Sequence, residues 1–394
     1  MLSARQNLST IRINTMRRLR LILILLIVPA LTMVVPHNAA CDDDRIFVSG
    51  DRLSLGTDAN LSASVRIADI DHDGDFDVIV ANGRHWPQQN FLLINHGRAR
   101  FSVQRRLGDE LRTTYATEVA DLDGDGDLDI AVGNDMAPNC VFLNDGTGHF
   151  VPGTNFGQIS SIRSLTLADI DGDDDVDILA TSRGRQNQMY LNDGTGRFGA
   201  GKPFGMRGDS TIDVAVADLN NDGHSDLVLA NRDSQQNYLL LNDGHTNFTT
   251  RIPFGTGKDQ TRAVAVADLD GDGNPDLIAG NIGQSNAVYL GNGQGGVRGS
   301  ASFGRDDGRT YALKVVDMDN DGDLDLVAGN VAQENAVFFN QGDGKSYREV
   351  RFGNETDATY GLDTGDLNGD GFEDIAVANS GSMNQIFLNL PLRK

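Results

Sequence analysis

One acidic nine-residue pattern recurs seven times along the chain and constrains its fold more than any other feature. The pattern, Asp-x-Asp/Asn-x-Asp-Gly-x-x-Asp, begins at Asp69, Asp121, Asp169, Asp218, Asp268, Asp317 and Asp366. Successive copies start 52, 48, 49, 50, 49 and 49 residues apart. A fixed period of this size is typical of solenoids, propellers and repeat arrays. The repeat period therefore favours one repeat domain over the two or three separate domains that a length of 394 residues would suggest.

Each repeat contains four short apolar runs separated by turn residues. In the fifth repeat, residues 263–267 precede the acidic pattern, residues 277–279 follow it, and residues 287–290 form a third run. A fourth segment ends in Phe-Gly, here Phe303-Gly304. Short β-prone runs with turns between them predict a four-stranded antiparallel meander. No segment keeps a 3.6-residue apolar period long enough to predict a helix.

The repeats are expected to close into a ring, because a lone four-stranded sheet leaves both of its faces uncovered. The last repeat ends after its third run, residues 385–389, whereas residues 46–56 form an unpaired fourth-strand pattern. Pairing these two segments would close the ring, whereas an open solenoid would need capping repeats. The sequence therefore predicts an all-β, seven-bladed β-propeller of four-stranded antiparallel blades over residues 46–394, with the N-terminal strand closing the last blade.

The acidic loops carry the oxygen ligands that Ca²⁺ prefers, with no Cys or His at a side-chain ligand position. The Gly at position 6 permits the sharp turn that closes such a loop. The predicted side-chain ligands, at positions 1, 3, 5 and 9, are Asp69, Asp71, Asp73 and Asp77; Asp121, Asp123, Asp125 and Asp129; Asp169, Asp171, Asp173 and Asp177; Asp218, Asn220, Asp222 and Asp226; Asp268, Asp270, Asp272 and Asp276; Asp317, Asp319, Asp321 and Asp325; Asp366, Asn368, Asp370 and Asp374. The predicted backbone carbonyl ligands, at position 7, are Asp75, Asp127, Asp175, His224, Asn274, Asp323 and Phe372. Up to seven Ca²⁺ ions are expected.

The acidic loops also admit two other interpretations, an EF-hand and an acidic surface without metal. An EF-hand needs a Glu at position 12, where this chain has only Val, Ala or Leu inside an apolar run. A solvated acidic surface without metal is the other alternative. The third loop has Asp174 where the pattern needs Gly, so we expect its site to be the weakest.

The charge of the chain is concentrated in these loops. The formal net charge is −23, and the loops hold 32 of the 56 Asp and Glu residues. Nucleic acids and anionic lipids bind basic surfaces, so neither is expected as a partner.

The first 41 residues are predicted to be a signal segment. Residues 16–20 are cationic, residues 21–36 are apolar, and Ala39, Ala40 and Cys41 follow. A cleaved secretory signal is favoured, and a lipoprotein signal acylated at Cys41 or an uncleaved anchor are the alternatives. All three predict an extracytoplasmic protein, secreted or periplasmic, that contacts a membrane only through this segment or a lipid on Cys41.

The Phe-Gly steps, the acidic loops and the Asn-Asp-Gly-x-Gly turns, such as residues 192–196, resemble the FG-GAP/VCBS repeats of integrin α-subunit head domains and of bacterial exported proteins. The resemblance covers residues 46–394. It implies a seven-bladed propeller with calcium in the loops between the first and second strands of each blade, all on one face. Relatives of this kind include adhesion heads, lectins and some polysaccharide-degrading enzymes, so the resemblance leaves the function open.

No catalytic motif is found, and no catalytic residue or organic cofactor is predicted. The face opposite the loops is expected to recognise a ligand, because its connections vary most and carry aromatic and arginine side chains. The candidate residues are Arg84, His85, Trp86, Tyr115, Arg183, Arg185, Arg232, Arg262, Tyr311 and Tyr360. The favoured function is a non-catalytic adhesion or ligand-binding module for a glycan or an extracellular or envelope protein. The alternatives are a polysaccharide-acting lyase or hydrolase that uses His85, Arg84 and Tyr115, and a subunit of an envelope assembly.

Residues 207–210 spell Arg-Gly-Asp-Ser, the tetrapeptide that integrins recognise in their ligands. Asp209 lies at the same distance after its Phe-Gly step as Asp259 and Asp357 do in other repeats. The repeat therefore explains this Asp without any role in adhesion.

Overall fold

The structure is a computed structural model that describes residues 44–392. The predicted signal segment, residues 1–41, and Cys41 lie outside the described residues. Across residues 44–392 the regular elements are β-strands, apart from one 3-10 helix at Asp51–Leu53. None of the helical structure in this range is long and apolar enough to cross a bilayer.

The strands are mostly short, apart from three long ones at Phe101–Arg112, Asp129–Leu143 and Val151–Ala168. In chain order they are β1 Arg45–Val48, β2 Ser54–Leu55, β3 Ser62–Ala68, β4 Asp77–Asn82, β5 Gln88–Asn95, β6 Phe101–Arg112, β7 Thr114–Ala120, β8 Asp129–Leu143, β9 Val151–Ala168, β10 Asp177–Ser182, β11 Asn187–Tyr190, β12 Lys202–Phe204, β13 Thr211–Ala217, β14 Asp226–Asn231, β15 Asn237–Leu241, β16 Thr250–Phe254, β17 Thr261–Ala267, β18 Asp276–Asn281, β19 Asn286–Gly291, β20 Val297–Phe303, β21 Thr310–Val316, β22 Asp325–Asn330, β23 Asn335–Asn340, β24 Tyr347–Phe352, β25 Thr359–Gly365, β26 Asp374–Asn379 and β27 Asn384–Pro391.

These strands form a β-propeller of six antiparallel sheets, four of which have four strands. The strand orders are β1-β27-β26-β25, with β2 also paired to β27; β3-β4-β5-β6; β12-β11-β10-β9-β8-β7; β13-β14-β15-β16; β17-β18-β19-β20; and β21-β22-β23-β24. The first strands of the repeats contact one another in the closed order β3, β7, β9, β13, β17, β21, β25 and back to β3. The propeller axis therefore runs between these inner strands.

The prediction of seven blades is wrong, because the structure has six. The repeats that begin at Asp121 and Asp169 share one six-stranded sheet. In it, β8 and β9 run unbroken through positions where other repeats turn, and Asp135 pairs with Ser161 there. The reason lies in residues 158–162, Gln-Ile-Ser-Ser-Ile, which lack the Gly-Asp turn found at residues 208–209 of the next repeat. An extended connection keeps pairing with its neighbour and fuses the two repeats.

The N-terminal strand closes the ring as predicted. β1 pairs antiparallel with β27, placing Arg45 opposite Pro391 and Val48 opposite Leu388. Beneath it, Phe47 stacks near Phe339 and Phe352 of the preceding sheet. The two ends of the chain thus complete one blade, and its packing includes side chains from both.

The hydrophobic core lies between neighbouring sheets. Val65 and Val80 of one sheet pack with Ala376 and Ile386 of the next, and all four are at most 2% exposed. The phenylalanines of the Phe-Gly steps join these layers; Phe303 meets Phe338 edge-to-face at 5.0 Å between ring centroids. Burial of each large apolar side chain contributes roughly 1.5–3 kcal/mol, so packing between blades supplies much of the stability.

A buried asparagine recurs near the start of the third apolar run of every repeat, and four of the seven tie adjacent sheets together. Asn90 accepts a hydrogen bond from the Asn82 N–H (2.8 Å), and its Nδ2 donates to Thr114 Oγ1 of the next sheet (2.9 Å). Asn384 closes the circle by donating to Ser62 Oγ at 2.9 Å. The same backbone bond is made by Asn139, Asn187, Asn237, Asn286, Asn335 and Asn384.

Candidate metal loops and central cavity

The seven acidic loops, numbered 1 to 7 in chain order, connect the first strand of each repeat to its second. Position 9 of each loop is the first residue of that second strand, for example Asp77 at the start of β4 and Asp325 at the start of β22. All seven loops therefore lie at the end of the propeller where the inner strands finish. The structure brings the predicted ligands of each loop into one short turn.

Each loop is held by hydrogen bonds from its own backbone. In loop 2, the Gly126 N–H donates to Asp121 Oδ2 (3.0 Å) and the Asp127 N–H donates to Asp125 Oδ1 (2.9 Å). The position 6 N–H bonds the position 1 carboxylate in all seven loops. Backbone N–H groups stabilise the ionised carboxylates and also fix their direction.

The position 9 carboxylates are buried and bond two backbone groups. Asp325, 1% exposed, accepts from the Met318 N–H at 2.9 Å and from the Asn340 N–H at 2.7 Å. Burial raises the pKa of this carboxyl to about 8. Burial raises the pKa of the position 9 carboxyl in the other six loops too. Burial makes the ionised form of these carboxyls unfavourable, and a nearby cation would offset that cost.

The loops also gather carboxylates with unused oxygens. In loops 1, 2, 3, 5 and 6, ligand atoms from the Asp residues at positions 1, 3 and 9 lie within 4.8 Å of one another. Four position 3 oxygens in this set are buried and have no hydrogen-bond partner: Oδ1 of Asp71, Asp123, Asp270 and Asp319. Leaving a buried charged acceptor unsatisfied is costly. The residues present therefore fit a hard divalent cation, and these clusters could hold metal ions.

The loops are not equivalent. Loops 4 and 7 have Asn220 and Asn368 at position 3, and so hold one carboxylate fewer. In loop 5, Arg298 Nη2 lies 2.5 Å from Asp270 Oδ2 and 2.7 Å from Asp272 Oδ2. This guanidinium already neutralises part of the loop, which neither the period nor the pattern predicted.

An asparagine at the end of the third strand links successive loops in six of the seven repeats, and the fifth repeat has Gly291 at this position. The Asn144 N–H donates to Asp129 Oδ1 of its own repeat (2.8 Å), while its Nδ2 donates to the Ile70 carbonyl in loop 1 (2.8 Å). Asn95 closes this series by donating to the Leu367 carbonyl in loop 7 at 2.9 Å. Ordering one loop thereby restrains the next, and binding in the loops would stiffen the whole ring.

Asp174 keeps the turn that glycine makes in the other loops. Its φ is +73°, where Gly126 has +93° and Gly322 has +95°, and its N–H still bonds Asp169 Oδ2 at 3.1 Å. Loop 3 therefore retains the common fold, at the expense of a left-handed conformation that costs a non-glycine residue roughly 1–2 kcal/mol.

Replacing Asp174 by Gly is expected to raise the free energy of unfolding by about 1 kcal/mol, because glycine relieves this strain. We also expect loop 3 to bind metal more tightly, because the loop then reaches its binding conformation without a strained residue at position 6. Chemical denaturation in millimolar Ca²⁺ measures the change, and Asp174→Ala, which keeps the strain, is the control. Equal stability of the Gly and Ala variants would contradict the assignment.

The metal-free protein is expected to become more stable as the pH falls from 8 to 5. Burial raises the pKa of Asp77 and Asp374 to about 7 and that of Asp325 to about 8. Carboxyls of the unfolded chain titrate near ~3.9, so over this range the folded state binds more protons than the unfolded state. The free energy of unfolding then rises as the pH is lowered. A melting temperature (Tm) in EDTA that is lower at pH 5 than at pH 8 would contradict this.

At the opposite end of the inner strands, eight of the ten predicted ligand-face residues line one central cavity of about 300 Å³. They are Arg84, His85, Tyr115, Arg183, Arg232, Arg262, Tyr311 and Tyr360. The other two lie elsewhere: Trp86 is 71% exposed outside the cavity, and Arg185 lines a separate groove.

A recurring β-bulge builds the rim of this cavity. In six repeats the strand register shifts at the second residue of the inner strand, for example between Thr114 and Ala116 and between Thr261 and Ala263, and in β9 it shifts at Arg163. The skipped residues all line the cavity: Ala63, Tyr115, Arg163, Ile212, Arg262, Tyr311 and Tyr360. A bulge re-aims the side chain of the extra residue, here toward the axis.

Sequence reasoning missed Arg66, Glu118, Arg163 and Asp213, which also line the cavity. Arg66 pairs with Glu118 across two inner strands, and Asp213 accepts a hydrogen bond from the Val264 N–H at 3.0 Å. Burial raises the pKa of Asp213 to about 7. Arg163 could have been found, because aligning the repeats places it in register with Tyr115.

Asp209 of the Arg-Gly-Asp-Ser segment has a structural role. Its carboxylate accepts from the Met206 N–H (2.8 Å) and pairs with Arg251 (2.8 Å). Asp259 makes the equivalent turn bond with the Thr256 N–H at 2.7 Å. Both carboxylates are engaged in holding the connection after the Phe-Gly step.

Comparison with known families agrees with this arrangement. The FG-GAP-like repeat model matches six overlapping segments, residues 69–132, 121–180, 169–229, 218–279, 268–328 and 317–377, each running from one acidic loop into the next. The chain belongs to the FG-GAP-like repeat family. None of the curated proteins compared with this FG-GAP-like repeat protein matches it.

Two solved structures share the fold of this FG-GAP-like repeat protein. The crystal structure of BBS1N in complex with ARL6DN, soaked with lead, has a TM-score of 0.59 and 14% identity, covering 87% of this chain and 97% of that one. The mercury-soaked form has a TM-score of 0.57 and 14% identity, covering 85% and 96%. At this identity the likeness concerns the fold alone.

Proposed function

We propose that this protein is an exported, calcium-stabilised binding module without catalytic activity. The acidic loops would hold Ca²⁺ at one end of the propeller. The central cavity at the other end would receive a ligand, a glycan or an extracellular protein. Family membership supports the scaffold, and the cationic residues 16–20 followed by apolar residues 21–36 support export.

The observation that carries the calcium proposal is the set of buried, unpartnered carboxylate oxygens. Oδ1 of Asp71, Asp123, Asp270 and Asp319 has no protein donor, and each lies in a cluster with two further carboxylates. Oxygen-only clusters in a flexible turn favour Ca²⁺ over zinc or copper. When bound, Ca²⁺ would neutralise these carboxylates and cross-link the strands that they terminate.

The structural role follows from how the loops are connected. The position 9 carboxylate joins the start of the second strand to the end of the third, and the asparagine there reaches the neighbouring loop, as Asn144 does with Ile70. Extracellular modules bind calcium at roughly 10⁻⁴–10⁻³ M, an affinity suited to structural rather than signalling sites.

One observation favours a second function, action on a polysaccharide. The His85 Nδ1 lies 3.1 Å from the Tyr115 hydroxyl at the cavity rim. Burial and the nearby Arg84 lower the pKa of His85, and this shift favours the neutral imidazole, the form that can accept a proton. A neutral base beside arginines is an arrangement that proton abstraction from an acidic sugar could use.

A binding screen and a turnover assay separate the two functions. The protein is screened against glycans and extracellular proteins in Ca²⁺ and in EDTA, and the same acidic polysaccharides are assayed for cleavage. We expect calcium-dependent binding and no turnover. Turnover that disappears in His85→Ala would overturn the non-catalytic proposal, and binding to none of the panel would overturn the binding proposal.

A further inference from the structure

We propose that the central cavity binds an acidic sugar residue, whose carboxylate or sulfate pairs with arginines while its ring packs against tyrosines. The inference rests on the proposed binding function and names the class of ligand. It is carried by side chains at the end of the propeller opposite the acidic loops, and none of them belongs to those loops.

The cavity concentrates positive charge within an acidic protein. Six arginines line it, against two carboxylates, Glu118 and Asp213. Arg66 is neutralised by Glu118, Arg163 pairs with Asp135 at 3.4 Å, and Arg232 pairs with Asp233 at 3.3 Å. Within residues 44–392, Arg84, Arg183 and Arg262 have no carboxylate within 4.0 Å. A cavity with three uncompensated guanidinium groups attracts anions.

Arg262 is the arginine of the cavity best placed to bind an anion. Its Nε is buried and has no hydrogen-bond partner, and burial together with the nearby Arg232 lowers the pKa of its guanidinium. An unsatisfied buried donor on a charged group costs free energy, which a bound anion would recover. Its bulged position in β17 directs it to the axis without a protein acceptor.

Tyrosines hold the arginines and give the cavity an apolar side. The Arg84 guanidinium lies 3.4 Å from the centroid of the Tyr360 ring, and Arg163 lies 4.2 Å from that of Tyr115. Tyr311 meets Tyr360 edge-to-face at 4.8 Å. Stacking orients a guanidinium while leaving its N–H edge available, and a tyrosine offers both a ring face and a hydroxyl. A pyranose presents C–H faces and hydroxyls that match these groups.

The size of the cavity favours one sugar ring over a larger ligand. Its volume of about 300 Å³ is at the small end of ligand pockets. The chain of a polysaccharide would have to leave through the open rim. A neutral sugar would leave the arginines unpaired, and a bare anion would leave the tyrosines uncovered.

Isothermal titration calorimetry in millimolar Ca²⁺ tests the proposal with four probes. Glucuronate and glucose 6-sulfate carry an acid on a sugar ring, glucose is the neutral ring, and inorganic sulfate is the bare anion. We expect at least one acidic sugar to bind at least tenfold more tightly than both glucose and sulfate. The acidic sugar that binds more tightly shows whether the arginines recognise a carboxylate or a sulfate ester. Acidic sugars that bind no better than glucose, or no better than inorganic sulfate, would overturn it.

Matched arginine variants locate the site. Arg84→Ala and Arg262→Ala are each expected to weaken binding at least tenfold, while Arg185→Ala, outside the cavity, changes it less than twofold. The rise in Tm that Ca²⁺ causes in each variant shows whether the propeller and its loops are intact. A variant that keeps this rise but loses sugar binding has lost the cavity function alone. An equal loss in Arg185→Ala would overturn the assignment of the site, whereas absence of the calcium shift in the parent protein would count against the proposed function.

Discussion

Chelation is expected to lower the Tm of this protein by about 10 °C or more. When the free Ca²⁺ concentration is tenfold above the dissociation constant of a site, binding there stabilises the folded state by about 1.4 kcal/mol. At least four loops have a buried carboxylate oxygen without a partner. Four such sites contribute about 6 kcal/mol, and one kcal/mol shifts the Tm of a domain this large by about 2 °C. Linkage of the loops through Asn144 and its counterparts makes the loss cooperative.

Scanning calorimetry in 2 mM CaCl₂ and in EDTA measures this shift. Mg²⁺ at the same concentration is the control, because it demands a smaller and more rigid octahedral site and is expected to restore less than half of the shift. A Tm that moves by less than 2 °C between Ca²⁺ and EDTA would contradict the structural role of the loops.

The second large effect is expected from Asp325→Ala. The substitution removes the acceptor of the Met318 and Asn340 N–H groups, which then lie buried without a partner. Each orphaned donor costs about 1–3 kcal/mol, so we expect the two together to lower the free energy of unfolding by about 2–6 kcal/mol. Because these bonds do not need a metal, the loss is expected in EDTA as well as in Ca²⁺.

Asp319→Asn in the same loop is the matched control. Asp319 Oδ1 is buried and unpartnered, and burial beside Asp321 raises the pKa of this carboxyl to about 6. Neutralising it removes a metal ligand and leaves the hydrogen bonds of Asp325 in place. The free energy of unfolding of Asp319→Asn in EDTA should equal or exceed that of the parent protein. The increase in this free energy on adding Ca²⁺ should be smaller than in the parent. Denaturation in both conditions measures this, and an Asp325→Ala variant as stable as Asp319→Asn in EDTA would contradict it.

Most of the repeat architecture could be predicted from the sequence. The period, the Phe-Gly steps and the N-terminal fourth-strand pattern predicted the strands and the pairing of β1 with β27, because turn chemistry and alternation act locally. The blade count failed where residues 158–162 lack a turn signal and let β8 and β9 continue. Whether an extended connection stays paired depends on its neighbour, which a local pattern does not reveal.

The site was predictable only in part. Loop residues followed from the spacing, and eight cavity residues followed from the variability of the connections. Arg163 was within reach of the sequence, because it holds the same repeat position as Tyr115. The pairing of Arg298 with Asp270 was not, because it joins residues 28 positions apart through a tertiary contact that the repeat pattern does not encode.

The most direct test of the account is the metal content of the folded protein at equilibrium with 2 mM CaCl₂. Elemental analysis after equilibrium dialysis counts the bound ions per chain without relying on stability. We expect four to seven Ca²⁺ ions per chain, at least one for each loop with a buried unpartnered oxygen at position 3. Fewer than one bound ion per chain would contradict it.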